Sequence, residues 1–213
     1  GSVATSARSK GSGSMERLRV YGDRSKRIVG EAVMLALLPG FEVVGEDEPA
    51  NVAIAPLLLR KLTIAELAAV PTLIFHPSLL PRHRGRDAIR WAFDWCESYS
   101  GVTWFWADNG YDTGDICEQG VVEIHRSHET PRQFYERAVD EGLRLLAFAL
   151  ADLRGGIVRR RPQREAAHTY EPPMPRSEGA TRPSILSMLR AEEPGDSRGE
   201  ERAANQQAQS ASA

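Results

Sequence analysis

Residues 52–55, Val-Ala-Ile-Ala, contain no polar side chain and run directly into Pro56. A short run of this kind reads as a strand covered on both faces, because a strand with one face in water alternates apolar and polar residues. Thr72-Leu73-Ile74-Phe75-His76 reads as a second strand. Between the two, residues 63–70 have the makings of a short helix, with Thr63 as its cap and Glu66 three positions later. The alternation continues on either side. Residues 17–23 read as a strand, 25–40 as a helix stopped by Pro39-Gly40, and 41–47 as a short strand. Residues 86–99 read as a helix with a buried stripe of Ala88, Ile89, Ala92, Trp95, Cys96 and Tyr99. Residues 101–108 and 115–124 read as two further strands. A long amphipathic helix over 131–153 follows, capped by Thr130 and ended by Gly155-Gly156. Strands and helices in this order imply an α/β fold: a mostly parallel sheet with helices on both faces. Ligands of such sheets bind beyond the carboxyl ends of the strands, where His76 sits.

The chain of 213 residues divides by composition. Residues 1–14 lack the apolar core of a secretory signal and read as a vector-derived, disordered leader. Residues 15–170 carry the folded domain. Residues 171–213 are rich in Pro, Gly, Glu, Arg, Ser and Gln and read as a largely disordered tail, with one apolar island at 184–190. A formal net charge of −2 argues against a general nucleic-acid or membrane-surface binder. No apolar run approaches the ~18 residues of a membrane span. Two cysteines, Cys96 and Cys117, are too few for a disulfide scaffold, and a reducing cytoplasm is the simplest reading.

Two segments carry candidate chemistry. His76 is followed by Pro77, Pro81 and Gly85, a stiff corner that suits the mounting of a reactive side chain. By itself, a histidine at a strand end more often serves structure. The second segment, residues 106–116, holds Asp108, Asp112 and Asp115 separated by Gly110 and Gly114. A calcium loop would need oxygen ligands where those glycines stand, and a Glu where Gln119 stands. A carboxylate delivered beside the imidazole, to orient it and stabilise its protonated form, is chemically more interesting. His125 and His128 with Glu123 and Glu129 are a weaker metal candidate. The basic run 159–164 reads as a solvated exit from the last helix. Neither a G-x-G-x-x-G dinucleotide turn nor a G-x-S-x-G nucleophile elbow occurs.

Taken together, His76-Pro-Ser-Leu-Leu-Pro81, the following Arg84-Gly85, Gly101-Val-Thr103 and Asp108-x-Gly-x-Asp112-Thr-Gly-Asp-Ile116 resemble the 10-formyltetrahydrofolate-dependent formyltransferase family. Within it, the likeness is greatest to the hydrolase domain of 10-formyltetrahydrofolate dehydrogenase, and it is specific over residues 52–122. The resemblance implies a Rossmann-like formyltransferase fold, here truncated, since the segment from Met15 to His76 is short for the family. It implies 10-formyltetrahydrofolate as formyl donor and no metal. It makes His76 and Asp112 catalytic, His76 as electrophilic stabiliser and acid, Asp112 as its orienter and base. It matches Pro56, Leu57, Leu58 and Leu59 to one wall of the folate site. Ala107, Asp108, Asn109, Gly110, Tyr111 and Asp112 match the loop that receives the pterin ring. Ile74 stands at the oxyanion position, where the family usually has Asn and the dehydrogenase's hydrolase domain also has Ile. Three functions follow: formyl transfer to a small amine, hydrolysis with water as acceptor, or a non-catalytic folate-binding module. The absence of room for a C-terminal barrel argues against a tRNA substrate. Exposed aromatics at Trp91, Trp104 and Tyr111 make a homodimer conceivable.

Overall fold

The computed structural model describes residues 16–174. The expected leader over 1–14, the island at 184–190 and the expected tail beyond 174 lie outside those residues. Six strands are described: β1 (Arg17–Val20), β2 (Glu42–Val44), β3 (Val52–Ala55), β4 (Thr72–His76), β5 (Tyr99–Trp106) and β6 (Ile116–Glu123). They form one sheet in the order β2-β1-β3-β4-β5-β6. The pairs from β2 through β4 are parallel, and β5 and β6 are antiparallel to their neighbours. The chain passes from β2 on one side of β1 to β3 on the other through residues 45–51, which hold no helix.

The helices are α1 (Arg27–Leu37), α2 (Ile64–Ala69), α3 (Ala88–Asp94) and α4 (Pro131–Arg154). Alternate residues of the strands sort into two cores, as the pleat requires. Leu18, Val20, Ile54, Leu73, Phe75, Val102 and Trp104 join residues of α1, α3 and α4 on one face. Ala53, Ala55 and Ile74 join Leu62, Leu67 and Val70 around α2 on the other. His76 shares the parity of Ile74, so the strand aims both away from the larger core. The fold is therefore the α/β arrangement with helices on both faces.

Local chemistry explains the helix ends. Thr63 Oγ1 accepts from Glu66 N at 3.2 Å, and a Glu66 carboxylate oxygen accepts from Thr63 N at 2.8 Å. Arg60 grips the same carboxylate with two nitrogens, at 2.5 and 2.9 Å. The Arg60 guanidinium first, and the Thr63 amide second, hold the Glu66 carboxyl down at about 2. Thr130 and Gln133 form the same reciprocal cap at the start of α4. At its centre α4 comes close to the sheet: a Cβ on Gly142 would stand 2.3 Å from the Phe75 ring, and the Gly142 carbonyl accepts from Trp104 Nε1 at 2.8 Å.

Three expectations are corrected here. Helix α3 stops at Asp94 rather than continuing to 99. Cys96 takes a φ of 58°, which ends the helix, Trp95 and Cys96 are exposed, and Tyr99 begins β5. Trp104 is fully buried, and Trp91 is half-buried with its indole N–H on the Pro172 carbonyl, so only Tyr111 of the proposed interface aromatics is exposed. Residues 159–164, exposed apart from half-buried Gln163, are more than a solvated exit. Arg161 exchanges both main-chain hydrogen bonds with Ile116 at 2.8 and 2.9 Å, and the Arg159 carbonyl accepts from Trp106 Nε1. Strand β6 begins with groups that need main-chain partners, and this strap supplies them. The strap runs on past Tyr170: Glu171 and Met174 are buried, and Met174 N donates to Asp87.

Candidate active site

The last residue of β4 carries the imidazole. Residues 77–85 then turn back across the antiparallel half of the sheet. Thr103 on β5 fixes this corner, its hydroxyl donating to the Ser78 carbonyl (2.7 Å) and accepting from Leu80 N (3.2 Å). Gln119 on β6 donates to the Leu80 carbonyl at 2.9 Å. The Leu80–Pro81 peptide within the corner is cis. The corner brings the His83 carbonyl to 2.7 Å from Nε2 of His76. A carbonyl only accepts, so Nε2 carries a hydrogen, and Nδ1 is the nitrogen left for chemistry.

Asp112 faces that nitrogen, with Oδ2 3.7 Å from His76 Nδ1. The same oxygen accepts from Gly85 N at 2.7 Å. Gly85 has a φ of 90°, and a Cβ there would meet the Tyr170 ring at 3.0 Å, so only glycine lets this amide reach the carboxylate without strain. Asp112 itself sits at a φ of 54°. His76 is oriented chiefly by the His83 carbonyl, while Asp112 shares with Nδ1 the position in front of the ring.

The neighbouring residues divide. Leu58, Ile74 and Ala107, each half-buried, pack against the smaller core, on the face of the sheet toward which β4 aims His76. Pro56 is buried, Leu57 packs against the larger core and Leu59 is 91% exposed, so of the segment 56–59 Leu58 is the residue that packs against the same core as Ala107. Lys61 spans the two segments, donating to the Asn109 carbonyl and standing 4.8 Å over the Tyr111 ring. The three loop carboxylates diverge. Asp108 accepts from Thr113 Oγ1 at 2.7 Å and from Gly110 N at 3.0 Å, whereas Asp115 lies 3.8 Å from Arg160. His125 and His128 stack with ring centroids 5.4 Å apart, remote in sequence from this site.

Residues 42–150, half of the chain, match the family described as Formyl transferase. The chain belongs to that family. Among curated relatives it is 41% identical over 101 residues to the cytosolic 10-formyltetrahydrofolate dehydrogenase of Mus musculus, covering 47% of this chain and 11% of that protein. It is 38% identical over 104 residues to the methionyl-tRNA formyltransferase of Koribacter versatilis, covering 49% and 33%. The chain thus spans only a fraction of the length of these relatives. Among solved structures, HypX from Aquifex aeolicus in complex with tetrahydrofolic acid superposes with a TM-score of 0.65 at 23% identity, over 85% of this chain and 35% of that one. The formyltransferase PseJ from Anoxybacillus kamchatkensis, crystallised with UDP-4,6-dideoxy-4-formamido-L-AltNAc and tetrahydrofolate, gives 0.61 at 21%, over 73% and 84%. At these identities the structural likeness shows the family's fold.

Several further residues support the site. His83 is fully buried, its Nε2 3.2 Å from Glu97 and its Nδ1 3.1 Å from Glu171; both contacts are within ion-pair reach but poorly aligned for hydrogen bonds. Gln163, in the strap, donates to the Asp112 carbonyl at 2.9 Å and to the Gly114 carbonyl at 2.8 Å. Arg84, also buried, holds Gln163 Oε1 at 2.7 Å and Glu165 at 2.6 Å, and it draws the Glu165 carboxyl below its ordinary range. Glu97, Gln163 and Glu171 sit in segments of ordinary polar composition, so only the folded geometry reveals them.

Proposed function

We propose that this domain transfers the formyl group of 10-formyltetrahydrofolate to a small amine, with His76 and Asp112 as its catalytic residues. The observation that carries the reading is the pairing of His76 Nδ1 with Asp112 Oδ2 beyond the end of β4, in a chain of this family. Half-buried Leu58, Ile74 and Ala107 on the smaller core suit a flat heteroaromatic ring, and the segment 107–112 starts from the last of them. No metal is needed for the chemistry proposed.

The steps follow from the atoms. The amine attacks the formyl carbon, and its carbonyl oxygen becomes an oxyanion. Protonated His76, fixed through Nε2, presents Nδ1–H to that charge. Asp112 takes the proton released by the attacking nitrogen, directly or through water. As the oxyanion collapses, the bond to N10 breaks and His76 delivers its proton to N10. The products are a formamide and tetrahydrofolate.

Ile74 favours a second reading. It stands half-buried among Leu58 and Ala107, where an amide donor would assist the oxyanion. One such donor is worth on the order of 10² to 10³ in rate. Its absence, together with the likeness to the dehydrogenases, supports water as an alternative acceptor, giving formate and tetrahydrofolate. Incubation with 10-formyltetrahydrofolate, with and without a panel of small amines, separates the two. Tetrahydrofolate released only with a particular amine supports transfer; release without amine supports hydrolysis. Binding with no release under any condition overturns both and leaves a folate-binding module.

A further inference from the structure

The carboxylate of Asp112 is placed by a loop whose own anchor lies far along the chain. Asp112 holds a left-handed backbone conformation, which a non-glycine residue keeps only when its surroundings hold it there. Two carbonyls of this loop, those of Asp112 and Gly114, point to one side chain, the amide of Gln163. That amide is itself fixed, because Arg84 donates to its oxygen through Nε (3.1 Å) and Nη2 (2.7 Å). This fixes which end of the amide is which: the oxygen faces the guanidinium and the NH2 faces the carbonyls. Arg84 directly precedes Gly85, whose N–H binds the Asp112 carboxylate. Backbone and carboxylate of Asp112 are therefore held by one closed circuit of corner, strap and loop.

We infer that Gln163 is a positioning residue for Asp112. It acts through the main chain and touches no reacting atom. It lies beyond residue 150, where the family match ends, in a strap attached by its own contacts to β6. Its amide sets where the Asp112 carboxylate stands relative to His76 Nδ1. The inference rests on the proposed formyl chemistry, but the clamp has a readout that does not.

The experiment uses the full chain with Gln163→Glu and Gln163→Ala. Gln163→Glu keeps an acceptor for Arg84 and replaces both donors by oxygen. Each variant is compared with Arg159→Ala, which loosens the strap at Glu118 and Asp152, away from the site. Turnover of 10-formyltetrahydrofolate is followed with hydrogen exchange of the Gly85 amide, the proton bonded to Asp112. Misplacement of a reacting group by about 1 Å costs roughly 10²-fold, so kcat is expected to fall about 10- to 100-fold with KM for the folate little changed. Gly85 exchange is expected to accelerate by about tenfold while amides of β5 keep their protection. Arg159→Ala is expected to retain wild-type kcat. Wild-type kcat in the Gln163 variants overturns the inference. So does a fall in kcat with Gly85 protection unchanged, and so does an equal fall in Arg159→Ala. If the wild-type chain itself turns over no folate, the functional reading fails and Gly85 exchange alone decides the clamp. Should both substitutions prevent folding, Arg84→Lys, which releases the amide oxygen, is read by the same two measurements.

Discussion

Nε2 of His76 donates to the main-chain carbonyl of His83 at 2.7 Å, so the orientation of the candidate catalytic ring is set by the backbone of the corner that follows it. His83 keeps a φ of 54°, a conformation that costs an L-residue roughly 1–2 kcal/mol. Its side chain, between Glu97 and Glu171 and edge-on to Trp95 at 5.1 Å, holds the residue in place against that cost.

His83→Leu keeps the bulk but leaves two carboxylates facing an apolar group. Leaving buried polar groups against hydrocarbon costs about 1–3 kcal/mol, so the denaturant midpoint should fall accordingly. Because the His83 carbonyl moves with its side chain, kcat should fall as well. Wild-type stability and wild-type turnover in this variant would show that the cluster holds nothing.

Ile74→Asn places an amide donor beside the candidate reaction centre at the expense of the smaller core. It should cost about 1–3 kcal/mol in stability, since a polar group replaces packed hydrocarbon. Formyl transfer to an amine should gain by up to about 10²-fold relative to formate release, because the oxyanion acquires a donor. Product analysis by mass spectrometry at fixed folate gives the ratio directly.

The cap of α2 carries a pH dependence of known sign. The Glu66 carboxyl lies near 2 in the folded chain against an ordinary 4.5, mainly through Arg60. A depressed carboxyl contributes stability that is complete above the unfolded value and is lost as pH falls toward the folded one. Glu66→Gln should therefore be less stable than wild type by about 1 kcal/mol at pH 7, and the two should converge as pH falls from 4.5 toward 2. Urea midpoints across that range test this.

Gly142→Ala places a methyl group 2.3 Å from the Phe75 ring where α4 packs on the sheet. Overfilling a packed core costs about 1–3 kcal/mol, and a matching drop in thermal stability is expected without change in oligomeric state.

The parts legible in the sequence were those set by local rules. Doubly apolar β3, the Thr63–Glu66 cap and the Pro-bounded corner after His76 each depend on neighbours in the chain, and each appears where its residues imply. Helix α3 misled because Cys96 and Trp95 continue an apolar period. What ends the helix is a left-handed turn at Cys96, and Trp95 lies instead against His83 and Arg82. The strap misled for a different reason. Arg159, Arg161 and Gln163 look solvated by composition, and their partners at Trp106, at the open edge of Ile116 and in the Asp112 loop appear only once the chain is folded. Residues that act by completing another segment's hydrogen bonds leave no periodic trace.

The central claim is that Asp112 and His76 act together on a formyl group, and Asp112→Asn tests it most directly. An amide oxygen can still accept from Gly85 N–H, so the loop keeps its place while the negative charge and the base are lost. Turnover of 10-formyltetrahydrofolate should fall by about 10² to 10⁴, with folate affinity within about threefold of wild type. Unchanged turnover in a folded Asp112→Asn protein would contradict the account.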